Sequence, residues 1–210
     1  MNRQALGAAL ALMLTGTAQA ADRFPILTPE QMTPAQKTVA EAIMAGPRGQ
    51  LSGPFNAWLR SPDLANRLQK VGEYLRFQSS VPTRLNEFAI LTTARAWDSP
   101  YEWYAHYPLA LKAGLKPAIA ADLARGVRPA GMAPDEAAVY DFAAELRRER
   151  RVSDTTFAKA QKLLGDQGVI DLVALLGYYD AVSMTLAVAE VPAPADGALP
   201  LPATRRAARR

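Results

Sequence analysis

Apolar residues recur along this chain at the helical period. Leu64, Leu68, Val71 and Leu75 follow one another at spacings of four, three and four, which predicts a helix opened by Pro62 with these four facing inward. Upstream, Thr33-Pro34-Ala35-Gln36 is a capping box with proline at the first helical position, and the helix it starts runs from Pro34 to Ala45 before Gly46. Thr28-Pro29-Glu30-Gln31 repeats that box. The loop from Gly46 to Pro54 is rich in Gly and Pro, and Gly53–Pro62 has room for one short helical turn. After the break at Val81-Pro82, Thr83–Trp97 carries Leu85, Ala89, Thr92 and Ala96 on one face and Arg84, Glu87, Leu91, Arg95 and Asp98 on another. The second stripe reads as a solvated salt-bridge ladder. Further helices follow over Pro117–Arg125, Asp135–Arg150 and Asp154–Leu164, with stops at Gly126 and Gly165. The RRERR end of the second reads as a solvated helix terminus. Gly168–Glu190 is apolar all the way round, which implies burial on every side or a subunit contact, with Asp171 and Asp180 as surface residues.

No alternating strand pattern interrupts this series. The reading is all-α, with about eight helices and two loosely repeated hairpins, Pro62–Gly114 and Pro134–Glu190.

The stretch Asp98–Gly114, DSPYEWYAHYPLALKAG, departs from the pattern. It holds His106, the sole histidine, among Trp97, Tyr101, Trp103, Tyr104 and Tyr107. Ser99, Pro100 and Glu102 form a second kind of S-x-x-E start, so Glu102 is expected to cap the helix. The same residue lies four before His106 and shares its face. Pro108 cannot donate to the carbonyl of Tyr104, which predicts a kink beside the histidine. The helix before it should pack antiparallel to this one, bringing Glu87 toward His106, although Arg84 is a competing ion-pair partner for Glu87.

Composition narrows the chemistry. Arg3, the apolar run Ala5–Leu14 and Ala18-Gln19-Ala20 read as a signal peptide over residues 1–20, cleaved after Ala20. The expected folded domain is 21–191, and 192–210 is a Pro/Ala/Arg tail expected to be disordered. The protein is then expected to be periplasmic or secreted, with no membrane contact after cleavage; an uncleaved anchor is the weaker alternative. Arg3 and the four arginines of the last six residues account for the basic balance; without them 19 basic residues face 20 acidic ones. That excludes a basic face for nucleic acid. With no cysteine and one histidine, thiol redox chemistry, thiolate metal sites and multi-histidine metal sites are excluded.

The segment NEFAILTTARAWDSPYEWYAH, Asn86–His106, resembles the signature of the carboxymuconolactone decarboxylase and alkylhydroperoxidase D superfamily. GPFNAWLRSP, RVSD at Arg151–Asp154 and GYYDAVSMTL at Gly177–Leu186 resemble a longer subgroup of it, so the likeness spans Pro54 to Pro192. The resemblance implies an AhpD-like helical bundle, usually a homo-oligomer, as trimer or hexamer. In the peroxidase branch a glutamate and a histidine match Glu87 and His106, and the two cysteines fall on Ser99 and Glu102. A disulfide cycle therefore has no thiolate here. The decarboxylase branch is similar in placing a glutamate four before its histidine, as Glu102 and His106 are.

Together these residues predict proton chemistry. His106, Glu102 and Glu87 are the candidate catalytic groups, and Ser99, Trp103 and Trp58 the candidate substrate contacts; no metal and no cofactor are required. The expected function is acid/base decarboxylation or isomerisation of a small keto acid or lactone acid. A non-catalytic small-molecule binder or assembly subunit is the alternative, and a peroxidase the least favoured reading.

Overall fold

The computed structural model describes residues 23–194 and 201–202. Among them are eight helices and no strand: α1 Pro34–Ala45, α2 Phe55–Trp58, α3 Pro62–Phe77, α4 Thr83–Trp97, α5 Pro100–Lys112, α6 Pro117–Ala124, α7 Pro134–Glu149 and α8 Asp154–Ala189. The all-α expectation holds. The expected signal peptide, residues 1–20, and most of the expected tail lie outside the described residues. Leu201 and Pro202, within the expected tail, lie against the body: Leu201 packs on the core, and the Pro202 carbonyl accepts from Arg95 at 2.8 Å.

α4 is the central element. It packs on α5, α6, α7 and α8, and every residue from Leu85 to Arg95 is buried. The second stripe is therefore not a solvated ladder. Enclosed by four helices, its polar groups find partners inside. Arg84 pairs with Asp135 at 2.6 Å and with Glu136, and Arg95 bonds the Ala124 carbonyl at 2.8 Å and Asp98. Asp98 takes a left-handed backbone, φ 51°, at the end of α4, and the chain turns back into α5 within two residues. This is the antiparallel hairpin expected, and α4 with α5 is the most extensive helix pair.

α3 faces inward with a different set than the period predicted. Ala65, Gln69, Gly72 and Leu75 are buried, whereas Leu64 and Val71 are about half exposed. Small residues allow the close approach. A Cβ on Gly72 would lie 2.2 Å from the Tyr178 hydroxyl and 2.5 Å from the Arg48 guanidinium. The helix places Gly72 under these groups and leaves Leu64 and Val71 half exposed.

α8 carries helical structure on both sides of Gly165, whose φ of 69° and ψ of 177° break the helix where the sequence placed a stop. By length and composition α8 is apolar enough to cross a membrane, but half of its most apolar window is buried against other helices. It is not buried all round: Ile170, Val173, Met184 and Val188 are exposed on one side. Asp171 is not a surface residue. It accepts from Tyr74 at 3.1 Å, from Ser79 at 3.3 Å, and from the Ser80 backbone N–H and hydroxyl at 2.9 and 2.8 Å. Arg147 of the RRERR run likewise turns inward, to Thr93 at 2.6 Å and Asp180 at 3.3 Å.

Candidate active site

A cavity of about 560 Å³ opens between α5, the end of α3, the loop over residues 46–54 and the second half of α8. α5 supplies Glu102 and His106 to its lining, α3 supplies Arg76, the loop supplies Arg48, and α8 supplies Tyr178 and Tyr179. Because Glu102 and His106 are four apart on one helix, both reach the same wall. α5 remains a single continuous helix through Pro108, which lines the cavity, so the expected kink does not break the element.

His106 is held from behind by Glu87 of α4. Its Nδ1 lies 2.7 Å from Glu87 Oε2, and both side chains are buried. Arg84 is occupied by Asp135 and Glu136, which leaves Glu87 to the histidine. In the tautomer that donates Nδ1–H to Glu87, Nε2 carries the lone pair and points the other way. On that side Glu102 Oε2 stands 3.5 Å from Nε2. The edge of the imidazole meets Tyr179, ring centres 5.1 Å apart at 90°.

Glu102 does not cap its helix. Ser99 occupies the N-cap position but makes no side-chain cap hydrogen bond, and Glu102 Oε2 has no hydrogen-bond partner. Only 3 % of Glu102 is exposed. Burial pushes its carboxyl above the ordinary range, outweighing the opposing pull of His106, Arg76 and Arg48. Burial also raises the Tyr178 hydroxyl to about 12 and the Tyr179 hydroxyl well above its usual value, so both remain O–H donors.

The structure thus joins Glu87, His106 and Glu102 into one chain of proton-carrying groups. It leaves the other three candidates outside the cavity lining. Trp58 donates its Nε1 to Thr185 at 2.9 Å and packs edge-on to Phe55 and Tyr178. Trp103 is 1 % exposed and stacks on Tyr107. Ser99 is buried at the α4–α5 turn, where its carbonyl accepts from the Trp103 N–H at 3.1 Å. Conversely Arg48, Arg76, Tyr178 and Tyr179 line the cavity without having been singled out in the sequence. The GYYD stretch of α8 was the available signal for the two tyrosines; the arginines had none.

Residues 62–145 match the Carboxymuconolactone decarboxylase family. The chain is similar in structure to an alkylhydroperoxidase AhpD core, an uncharacterized peroxidase-related protein from Ralstonia eutropha JMP134. The TM-score is 0.69 at 16 % identity, over 83 % of this chain and 93 % of that one. An uncharacterized peroxidase-related protein from Silicibacter sp. TM1040 gives 0.66 at 14 % identity, over 88 % and 96 %. No curated protein matches the sequence. The matched segment carries Glu87, Glu102 and His106 on the α4–α5 hairpin, so this part of the chain is that of a Carboxymuconolactone decarboxylase family member, and the whole bundle has the AhpD-like helical fold.

Proposed function

We propose that the protein is an acid/base enzyme that decarboxylates or isomerises a small keto acid or lactone acid without a cofactor. The observation that carries this reading is His106 set between two carboxylates at the wall of the cavity, 2.7 Å from one and 3.5 Å from the other. Glu87 orients the imidazole and stabilises its charged form, as a buried carboxylate does behind a general base. Nε2 takes a proton from the carbon beside the substrate carbonyl, and the C–H electron pair becomes the C=C bond of an enol. Glu102, favoured in its protonated form by burial, gives its proton to the carbonyl oxygen. In isomerisation the Nε2 proton returns to a different carbon and the enol proton returns to Glu102. In decarboxylation the C–CO2 electron pair replaces the C–H pair, and one solvent proton delivered through His106 ends on the carbon.

A dithiol peroxidase cycle lacks its nucleophile, because the chain has no cysteine. Export and a trimeric or hexameric assembly belong to the same proposal. The leader-like sequence of residues 1–20 supports the first, and the exposed apolar side of α8 gives the second a surface. The N-terminus of the mature chain and light scattering check them.

The decisive experiment compares the protein with His106→Ala on a panel of β-keto acids and lactone acids. Turnover in the parent is expected to fall by about 10²-fold or more in the variant, with unchanged helicity and assembly size. Turnover that survives the substitution overturns the acid/base assignment. Tight ligand binding with no turnover in either protein favours the non-catalytic binder instead.

A further inference from the structure

Two arginines of the cavity take no part in the Glu87–His106–Glu102 chain. Arg48 comes from the loop before α2, and Arg76 from the last turn of α3. Nε and Nη2 of Arg48 and Nε of Arg76 are buried without a hydrogen-bond acceptor. Neither guanidinium forms an ion pair among the described residues. Each lies over an aromatic ring, Arg48 over Phe55 and Arg76 over Phe77, both at 5.0 Å. Such contacts satisfy the face of a guanidinium and not its edge N–H groups, and the only side-chain neighbour that engages the Arg48 edge among the described residues is the Tyr178 hydroxyl, which is no anion.

Both arginines are partly exposed, but an arginine cannot shed its proton, so the N–H groups that are cut off from water, Nε and Nη2 of Arg48 and Nε of Arg76, are costly unless an acceptor completes them. Among the described residues, the one carboxylate in the cavity lining is Glu102. It feels both arginines but pairs with neither, and burial favours its uncharged form. Beside Arg48 stands another donor: its Nη2 and the Tyr178 hydroxyl crowd the same point over Gly72. Burial holds that hydroxyl in its protonated form. One side of the cavity therefore presents two cations and a neutral O–H donor with no anion to receive them. The planar guanidinium fork matches an oxyanion geometrically as well as in charge.

We propose that Arg48 and Arg76, assisted by Tyr178, form an oxyanion-binding end of the cavity, which seats an acid group of the ligand while its reacting carbon faces His106 and Glu102. The inference rests on the reading of this cavity as the reaction site, but its test is binding, which needs no turnover.

Calorimetric titration of the full chain with succinate, inorganic phosphate and dimethyl succinate gives the answer. At least one of the two anions is expected to bind, the diester is not, and affinity is expected to fall with added salt. Binding by succinate alone assigns a carboxylate and binding by phosphate alone a phosphate ester; either supports the clamp. Arg48→Gln and Arg76→Gln should each weaken the anion about tenfold or more, as loss of a charged hydrogen bond does. Arg76→Lys should recover part of the loss, which separates charge from packing. No anion binding to the parent, equal binding of the diester, or full affinity in both glutamine variants overturns the proposal. The two readings fail separately. Arginine-dependent binding together with full turnover in His106→Ala sinks only the acid/base chemistry. Loss of turnover in His106→Ala with normal binding in the arginine variants sinks only the clamp.

Discussion

Glu102 is three residues after Ser99 and four before His106, and each spacing assigns it a different job. As half of a capping box it would reach back to its own helix start. As a partner of His106 it points into the cavity, and the structure takes this second arrangement. Sequence spacing cannot rank the two, because the cavity Glu102 lines is closed by groups distant in sequence, among them Tyr178 and Tyr179 of α8. The consequence for pH has a definite sign. Burial raises the folded-state value above the unfolded one of ~4.3. The contribution of Glu102 to stability is then fully present below the unfolded value and is lost as pH rises through the raised folded value. Glu102→Gln removes the ionisation. The variant is expected to melt higher than the parent at neutral and alkaline pH, with the advantage vanishing near pH 4. Melting curves by circular dichroism across that range check this, and a constant offset at every pH would refute it. Glu87 was legible only as a possibility. The hairpin put it toward His106, but Arg84 at three residues' distance was an equally good partner until α7 supplied Asp135 and Glu136.

At the scale of elements, helix starts and stops were readable, and inward faces less so. The starts are written in local chemistry: Thr33 accepts from the Gln36 N–H, Ser153 from Thr156, and prolines stand at the first turns of α1, α3, α5, α6 and α7. The inward face of α3 is set by what lands on it. Period alone selects the largest apolar residues, whereas the bundle needs a glycine, Gly72, beneath Tyr178 and Arg48. That makes Gly72→Ala informative. Alanine is favoured over glycine inside a helix by about 1 kcal/mol, so in an open position the change would stabilise. Here the new methyl meets the end of a rigid ring at 2.2 Å and a guanidinium at 2.5 Å. The expected outcome is a net loss of about 1–3 kcal/mol, as for overpacking in a dense core. Denaturant unfolding measures it, and a gain in stability would mean that Tyr178 and Arg48 yield freely.

For the molecule as a whole, the fold class was legible because every helix carries its own punctuation, and the α4–α5 hairpin because it is local. What the sequence could not convey was how α8 is tied to the rest, since that tie joins residues more than ninety positions apart. Asp171 anchors the second half of α8 to the α3–α4 turn through Tyr74, Ser79 and Ser80, and this half carries Tyr178 and Tyr179 to the cavity. The site therefore depends on a contact outside it. Burial by itself would raise the Asp171 carboxyl, but the bonds from Ser80, Tyr74 and Ser79 together hold it below its ordinary value. A carboxyl with a lowered folded value adds stability above its unfolded value of ~3.9 and loses it as pH falls through the folded one. Asp171→Asn keeps the size but puts an amide where donors already converge. At neutral pH it is expected to cost about 2–3 kcal/mol, in line with losing charged hydrogen bonds at a buried site. The gap between parent and variant should narrow below the unfolded value and close only as pH falls through the lowered folded one, where the parent loses its own carboxylate. Chemical unfolding at pH 7 and through a series of falling acid pH values measures the gap and its closing. If the anchor positions α8, the variant also weakens anion binding at the cavity while His106 keeps its Glu87 partner, since that bond lies wholly between α4 and α5.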